Sequence, residues 1–153
     1  MCRKISVRAH RGSRKLSGVR RLRADCKPDM ARILIADDEE DFGLLLERAL
    51  TQTGHDTRRA RDGNAALAIL KTAPVELAIV DLYMPGKDGI ETILEIRRQF
   101  PAMKIIAISG SVPKTSEAIL LMAQKLGAHL TLAKPFSVEQ ILEAVKSLCP
   151  APG

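Results

Sequence analysis

The chain has 153 residues, 46% hydrophobic and 27% charged, which suits one soluble globular domain with a sizeable core. No apolar run approaches the roughly 18 residues of a membrane span. The N-terminus lacks a secretory apolar stretch, and Cys2, Cys26 and Cys149 form no CxxC pair, so reduced thiols and a cytoplasmic location are expected.

The net charge of +6 is unevenly held. Residues 1–29 carry ten of the 24 basic residues and two of the 18 acidic ones, a surplus of +8, which leaves −2 for residues 30–153. Such a segment could bind nucleic acid. With few large apolar groups to bury, it is better read as a disordered extension, or as upstream of a natural start at Met30. The expected organisation is a basic extension over 1–29, a folded domain over 30–149 and a short tail over 150–153.

From Met30 onward, short apolar runs alternate with amphipathic helices. Arg32–Ala36 reads as a buried strand ending in the acidic cluster Asp37–Asp41. The spacing of Phe42, Leu45, Leu46, Ala49 and Leu50 predicts a helix to about Thr53, stopped by Gly54. Asp56–Ala60, with Arg58 and Arg59, suits an edge strand. Asp62 can cap a second helix through Ala66, Leu67, Ile69 and Leu70, ended by Pro74. Glu76–Val80 is a strand leading into Asp81, and Asp88–Phe100 a helix. Met103–Ile108 is the most hydrophobic strand, followed by a helix near Thr115–Leu126 and a last strand, Leu130–Ala133. Ser137 can cap a final helix that sets Val138, Ile141, Leu142, Val145 and Leu148 on one face.

Five strand–helix units with continuous apolar strands imply a parallel sheet covered on both faces. Sites in such sheets form beyond the carboxyl ends of the strands. The polar residues there are Asp37 and Asp38 after the first strand, Asp81 after the third, Ser109 after the fourth and Lys134 after the fifth.

Three crowded carboxylates repel one another unless a cation compensates them. An all-oxygen acidic site suits a hard ion such as Mg2+. A carboxylate can also act as nucleophile and become an aspartyl-phosphate, with an ammonium and a hydroxyl stabilising the transferred oxygens. Two rival chemistries fit poorly. A flavodoxin-type cofactor site needs a Gly/Ser/Thr-rich phosphate loop where this chain has Asp-Asp-Glu-Glu-Asp. A haloacid-dehalogenase phosphatase has a second acid two residues after its nucleophile, where this chain has Tyr83.

The stretches ILIADDEE, AIVDLYMPGKDG, AISGS and LAKPF, in this order and spacing, resemble the response-regulator receiver (CheY-like) family over about Met30–Leu148. The resemblance implies a doubly wound (βα)5, flavodoxin-like three-layer sandwich with a five-stranded parallel sheet in order 2-1-3-4-5. It implies Asp81 as phosphoacceptor, with Mg2+ held by Asp38 directly, by Asp37 through water, by Asp81 and by the backbone carbonyl of Tyr83. Ser109 would be the switch hydroxyl and Lys134 the phosphate contact, its bond to Pro135 commonly cis, with Gly110 leaving room for phosphate entry. The donor would be a histidine kinase or histidine phosphotransferase, and the readout a partner protein.

One position departs from the family. Thr131 stands where a switch aromatic is usual, which moves the expected readout to the loop 109–115 and the following helix, with its Ile119-Leu120-Leu121-Met122 run. Nothing after the last helix is long enough for an output domain, so a stand-alone, non-enzymatic receiver is expected. The alternatives are a nucleic-acid-binding regulator acting through the basic segment and a constitutive interaction module that takes no phosphate.

Overall fold

The computed structural model describes residues 30–84, 86–110 and 113–149, the side chains of 113–116 excepted. The basic segment, the 150–153 tail and much of the loop after Ser109 lie outside the described residues. Five strands alternate with five helices: β1 Arg32–Ala36, α1 Glu40–Gln52, β2 Asp56–Ala60, α2 Gly63–Thr72, β3 Leu77–Asp81, α3 Gly89–Gln99, β4 Lys104–Ser109, α4 Pro113–Leu126, β5 Leu130–Ala133 and α5 Val138–Leu148. The sheet is wholly parallel, in order β2-β1-β3-β4-β5. The chain order therefore reverses at β1, and a crevice opens between β1 and β3 at their carboxyl ends.

Side-chain alternation along the strands separates two cores. Ile33, Ile35, Leu77, Ile79, Ile106 and Ile108 pack with Leu46 and Leu50 of α1 and Ile141, Ala144 and Val145 of α5. Leu34, Ala36, Ala78, Val80, Ile105 and Ala107 pack on the other side with Leu67 and Leu70 of α2, Ile93 and Ile96 of α3, and Leu120 and Ala123 of α4. The central strands are buried on both faces, which explains their uninterrupted apolar sequence.

The helix starts follow the expected chemistry. Asp62 accepts the N–H of Ala65, Asp88 that of Glu91, and Ser137 forms a capping box with Gln140. Several element boundaries move slightly from expectation. β3 and β4 each start and end one residue later than the apolar runs suggest, because Asp81 and Ser109 still pair in the ladder. α4 begins at Pro113, since proline is tolerated in a first turn whose N–H groups lack intrahelical acceptors. Of the α4 run, Leu120 is buried and Ile119 packs against the core, while Leu121 and Met122 are each more than half exposed.

Candidate functional site

Strand parity assembles the site. Asp37, Asp81 and Lys134 each stand two residues beyond a side chain in the α1/α5 core, namely Ile35, Ile79 and Leu132. The same alternation brings their side chains to one side of the strand ends. Ser109 has the opposite parity and belongs to the side that carries α3 and α4.

Asp37 and Asp81 are buried, at 4% and 5% exposure, whereas Asp38 is exposed. One carboxylate oxygen of each of the three lies within 4.8 Å of the others. The two buried acids are held alike. Asp37 Oδ1 accepts the N–H of Glu39 at 2.8 Å, and Asp81 Oδ1 that of Tyr83 at 2.9 Å. Their second oxygens both accept from Lys134 Nζ, at 3.3 Å and 3.2 Å.

One ammonium cannot offset this much negative charge. Burial, with the charge of Asp81 added, pushes the Asp37 carboxyl up to about 6, although the Glu39 N–H and Lys134 pull the other way. Burial works against the Lys134 ammonium as well, but the charges and hydrogen bonds of Asp81 and Asp37 raise it above the ordinary lysine value. Both groups thus hold a proton more tightly than usual. The cluster is short of positive charge, and its donors are all hard oxygens. Those two properties fit a small divalent cation such as Mg2+.

Ser109 is fully buried, and among the described residues its Oγ is the one buried side-chain polar atom without a hydrogen-bond partner. Such groups carry a free-energy cost that a ligand oxygen can relieve. Gly110 follows, where an added Cβ would sit 2.6 Å from Lys134 Cδ, so the missing side chain makes room for the lysine stem. The Lys134–Pro135 peptide is cis. Gly89 is required for a similar reason: a Cβ there would lie 2.2 Å from the carbonyl oxygen of Asp81. That close approach seats the start of α3 directly beneath the site.

The expected residues Asp37, Asp38, Asp81 and Lys134 therefore meet in one crevice, bordered by Ser109, Gly110 and Tyr83. Two other side chains reach Lys134 that their sequence positions did not single out. Glu39 approaches Nζ at 3.4 Å, and the Phe42 ring centroid lies 4.0 Å from it. Thr131 is half-buried and lines a hollow with Glu117, Ala118, Leu120, Leu121 and Gln124 of α4.

The response regulator receiver domain family model matches residues 33–146, and the chain belongs to that family. It is 39% identical over 112 residues to YrkP of Bacillus subtilis, an uncharacterized transcriptional regulatory protein, covering 72% of this chain and 46% of that one. The crystal structure of the receiver domain of NtrX from Brucella abortus superposes with a TM-score of 0.70 at 32% identity, over 76% of this chain and 97% of that domain. A CheY-like receiver domain protein from Methanospirillum hungatei gives a TM-score of 0.69 at 26% identity, over 77% and 92%. The chain spans less than half of YrkP and 27% of a longer NtrX chain. It is thus a CheY-like receiver domain of a response regulator, the class that serves two-component signalling. Among the described residues no helix is long and apolar enough to cross a membrane.

Proposed function

We propose that this chain is a phosphoacceptor response regulator that takes a phosphoryl group on Asp81 in the cytoplasm and thereby changes its affinity for a partner protein. The observation that carries the reading is the buried, unpartnered Ser109 hydroxyl beside a crevice where Asp37 and Asp81 share Lys134. A phosphoryl group offers oxygens to both the hydroxyl and the ammonium.

In this reading an oxygen of Asp81 bonds to phosphorus as the phosphorus–nitrogen bond of a phosphohistidine donor breaks. The imidazole nitrogen leaves with the electron pair. A histidine kinase or histidine phosphotransferase supplies the donor. Asp81 is oriented by the Tyr83 N–H, which fixes one oxygen and leaves the other for attack. Lys134 moves from carboxylate partners to a phosphoryl oxygen, and Ser109 gains the partner it lacks. Asp38, Asp37, Asp81 and the Tyr83 carbonyl would hold Mg2+, with Asp38 bound directly and Asp37 through water. When bound, the ion offsets the negative charge that the carboxylates and the phosphoryl oxygens bring together. A constitutive module that takes no phosphate would have no use for an unsatisfied buried hydroxyl, so that alternative is set aside.

Residues 30–149 form the working unit in this proposal, and residues 1–29 should be dispensable for phosphorylation. The test is intact-mass labelling with acetyl phosphate and Mg2+. Wild type and a chain starting at Met30 should each gain one phosphoryl group, and Asp81→Asn none. Equal labelling of Asp81→Asn and wild type would overturn the assignment.

A further inference from the structure

Phe42 opens the apolar row of α1, directly after the acidic cluster, yet only part of its ring is spent on the core. The ring centroid stands 4.0 Å from Lys134 Nζ. The edge of Phe136, in the β5–α5 connection, braces it at a centroid distance of 5.6 Å and an interplanar angle of 80°. Such edge-to-face geometry is the favoured aromatic arrangement. On the other side of the lysine, Gly110 lets the aliphatic stem pass, since a Cβ there would come 2.6 Å from Cδ.

Lys134 is therefore confined along its whole length. Gly110 receives the stem, the Phe42 face receives the ammonium, and Asp37 and Asp81 accept its hydrogen bonds. The π face attracts a cation but accepts no strong directional hydrogen bond. It can therefore stay in contact while the ammonium exchanges carboxylate oxygens for another anionic oxygen. A carboxylate in the same place would compete for the ammonium, as the exposed Glu39 does at 3.4 Å. A plain aliphatic side chain would fill space without attracting charge. The ring is thus suited to guide Lys134 without capturing it.

Resting on the proposed phosphoacceptor reading, we infer that Phe42, braced by Phe136, is a positioning residue that holds the Lys134 ammonium over the crevice for a phosphoryl oxygen. The interaction belongs to the electrostatics of the ring face, so withdrawing electron density from the ring weakens it at nearly constant shape.

The test uses the full chain with Phe42 replaced site-specifically by 4-fluoro-, 3,5-difluoro- and 3,4,5-trifluorophenylalanine, together with Phe42→Leu. Two measurements are made. The Lys134 side-chain ε-methylene resonances, assigned by their loss in Lys134→Gln, are followed by NMR without phosphodonor. The initial rate of acetyl phosphate labelling at saturating Mg2+ is followed by intact mass. Ring-current shielding should move the ε-methylene protons upfield in wild type and not in Phe42→Leu. Labelling should slow stepwise with fluorination, to about three- to tenfold for the trifluoro ring. In a Lys134→Gln background the same series should be flat.

Absence of the upfield shift in wild type overturns the inference whatever the labelling shows. So does labelling that ignores fluorination, or that slows equally with Lys134 removed, since a merely structural ring gives that result. If the shift is present but wild type takes no phosphoryl group at Asp81, the phosphoacceptor reading fails, and the positioning role falls with it.

Discussion

Asp37→Asn should make the magnesium-free protein more stable at neutral pH while impairing its chemistry. The Asp37 carboxyl rises from an ordinary 3.8 to about 6 on folding, first through burial and then through repulsion from Asp81. A group whose folded value is raised contributes stability that is complete below about pH 4 and is lost as pH rises through about 6. A rise of that size corresponds to about 3 kcal/mol at ~1.36 kcal/mol per pH unit. Solvent at the open mouth beside exposed Asp38 screens part of this, leaving about 1–3 kcal/mol. An asparagine keeps the oxygen that accepts the Glu39 N–H and removes the charge. Urea unfolding in chelator, from pH 4 to 8, should show the two proteins equal near pH 4 and the variant ahead by that margin above pH 6.5. Mg2+ at ~100 times its dissociation constant should then restore about 2.7 kcal/mol to wild type and less to the variant. A variant no more stable than wild type at pH 7.5, or a difference that does not bend between pH 4 and 6, would refute the reasoning.

Loss of Asp38 should weaken Mg2+ binding more than loss of Asp37, because a direct ligand contributes more than one acting through water; titration of Asp38→Ala and Asp37→Ala checks the order. Gly89→Ala should cost on the order of 1–3 kcal/mol, since its Cβ would sit 2.2 Å from the Asp81 carbonyl oxygen and backbone must shift to admit it. Chemical denaturation measures that loss, and a neutral result would mean the start of α3 can move freely. Beryllofluoride with Mg2+ should shift backbone resonances chiefly across residues 109–126; changes confined to 37–41 and 81–89 would show binding without transmission to α4.

Much of the fold was legible because its central strands are buried on both faces. Such runs are hard to mistake when punctuated by Gly54, Pro74 and Gly127, and β1, β2 and β5 have the expected bounds. Asp37, Asp38, Asp81, Ser109 and Lys134 were legible as a set because each stands at a strand's carboxyl end or within two residues beyond it. What stayed hidden depends on distances across the chain. Phe42 and Lys134 are 92 positions apart, and helical spacing marks Phe42 only as a residue facing inward. The unsatisfied Ser109 hydroxyl is likewise a property of its surroundings, visible only once every nearby donor and acceptor is placed. The electrostatic deficit at Asp37 depends on burial, which the letters Asp-Asp-Glu-Glu-Asp do not encode.

The opposite parity of Ser109 has a further consequence. Asp37, Asp81 and Lys134 rest on the core shared with α1 and α5, while Ser109 belongs to the layer that includes Leu120 and Ala123 of α4. On the proposed function, accepting a group and reporting it would be supported by different halves of the molecule, joined at the strand ends. A substitution in the α4 half would then retune how strongly the protein answers more than how readily it is charged. Drift in the α1/α5 half would chiefly retune the charging. A protein divided in this way would be free to change listeners and speakers independently over evolutionary time.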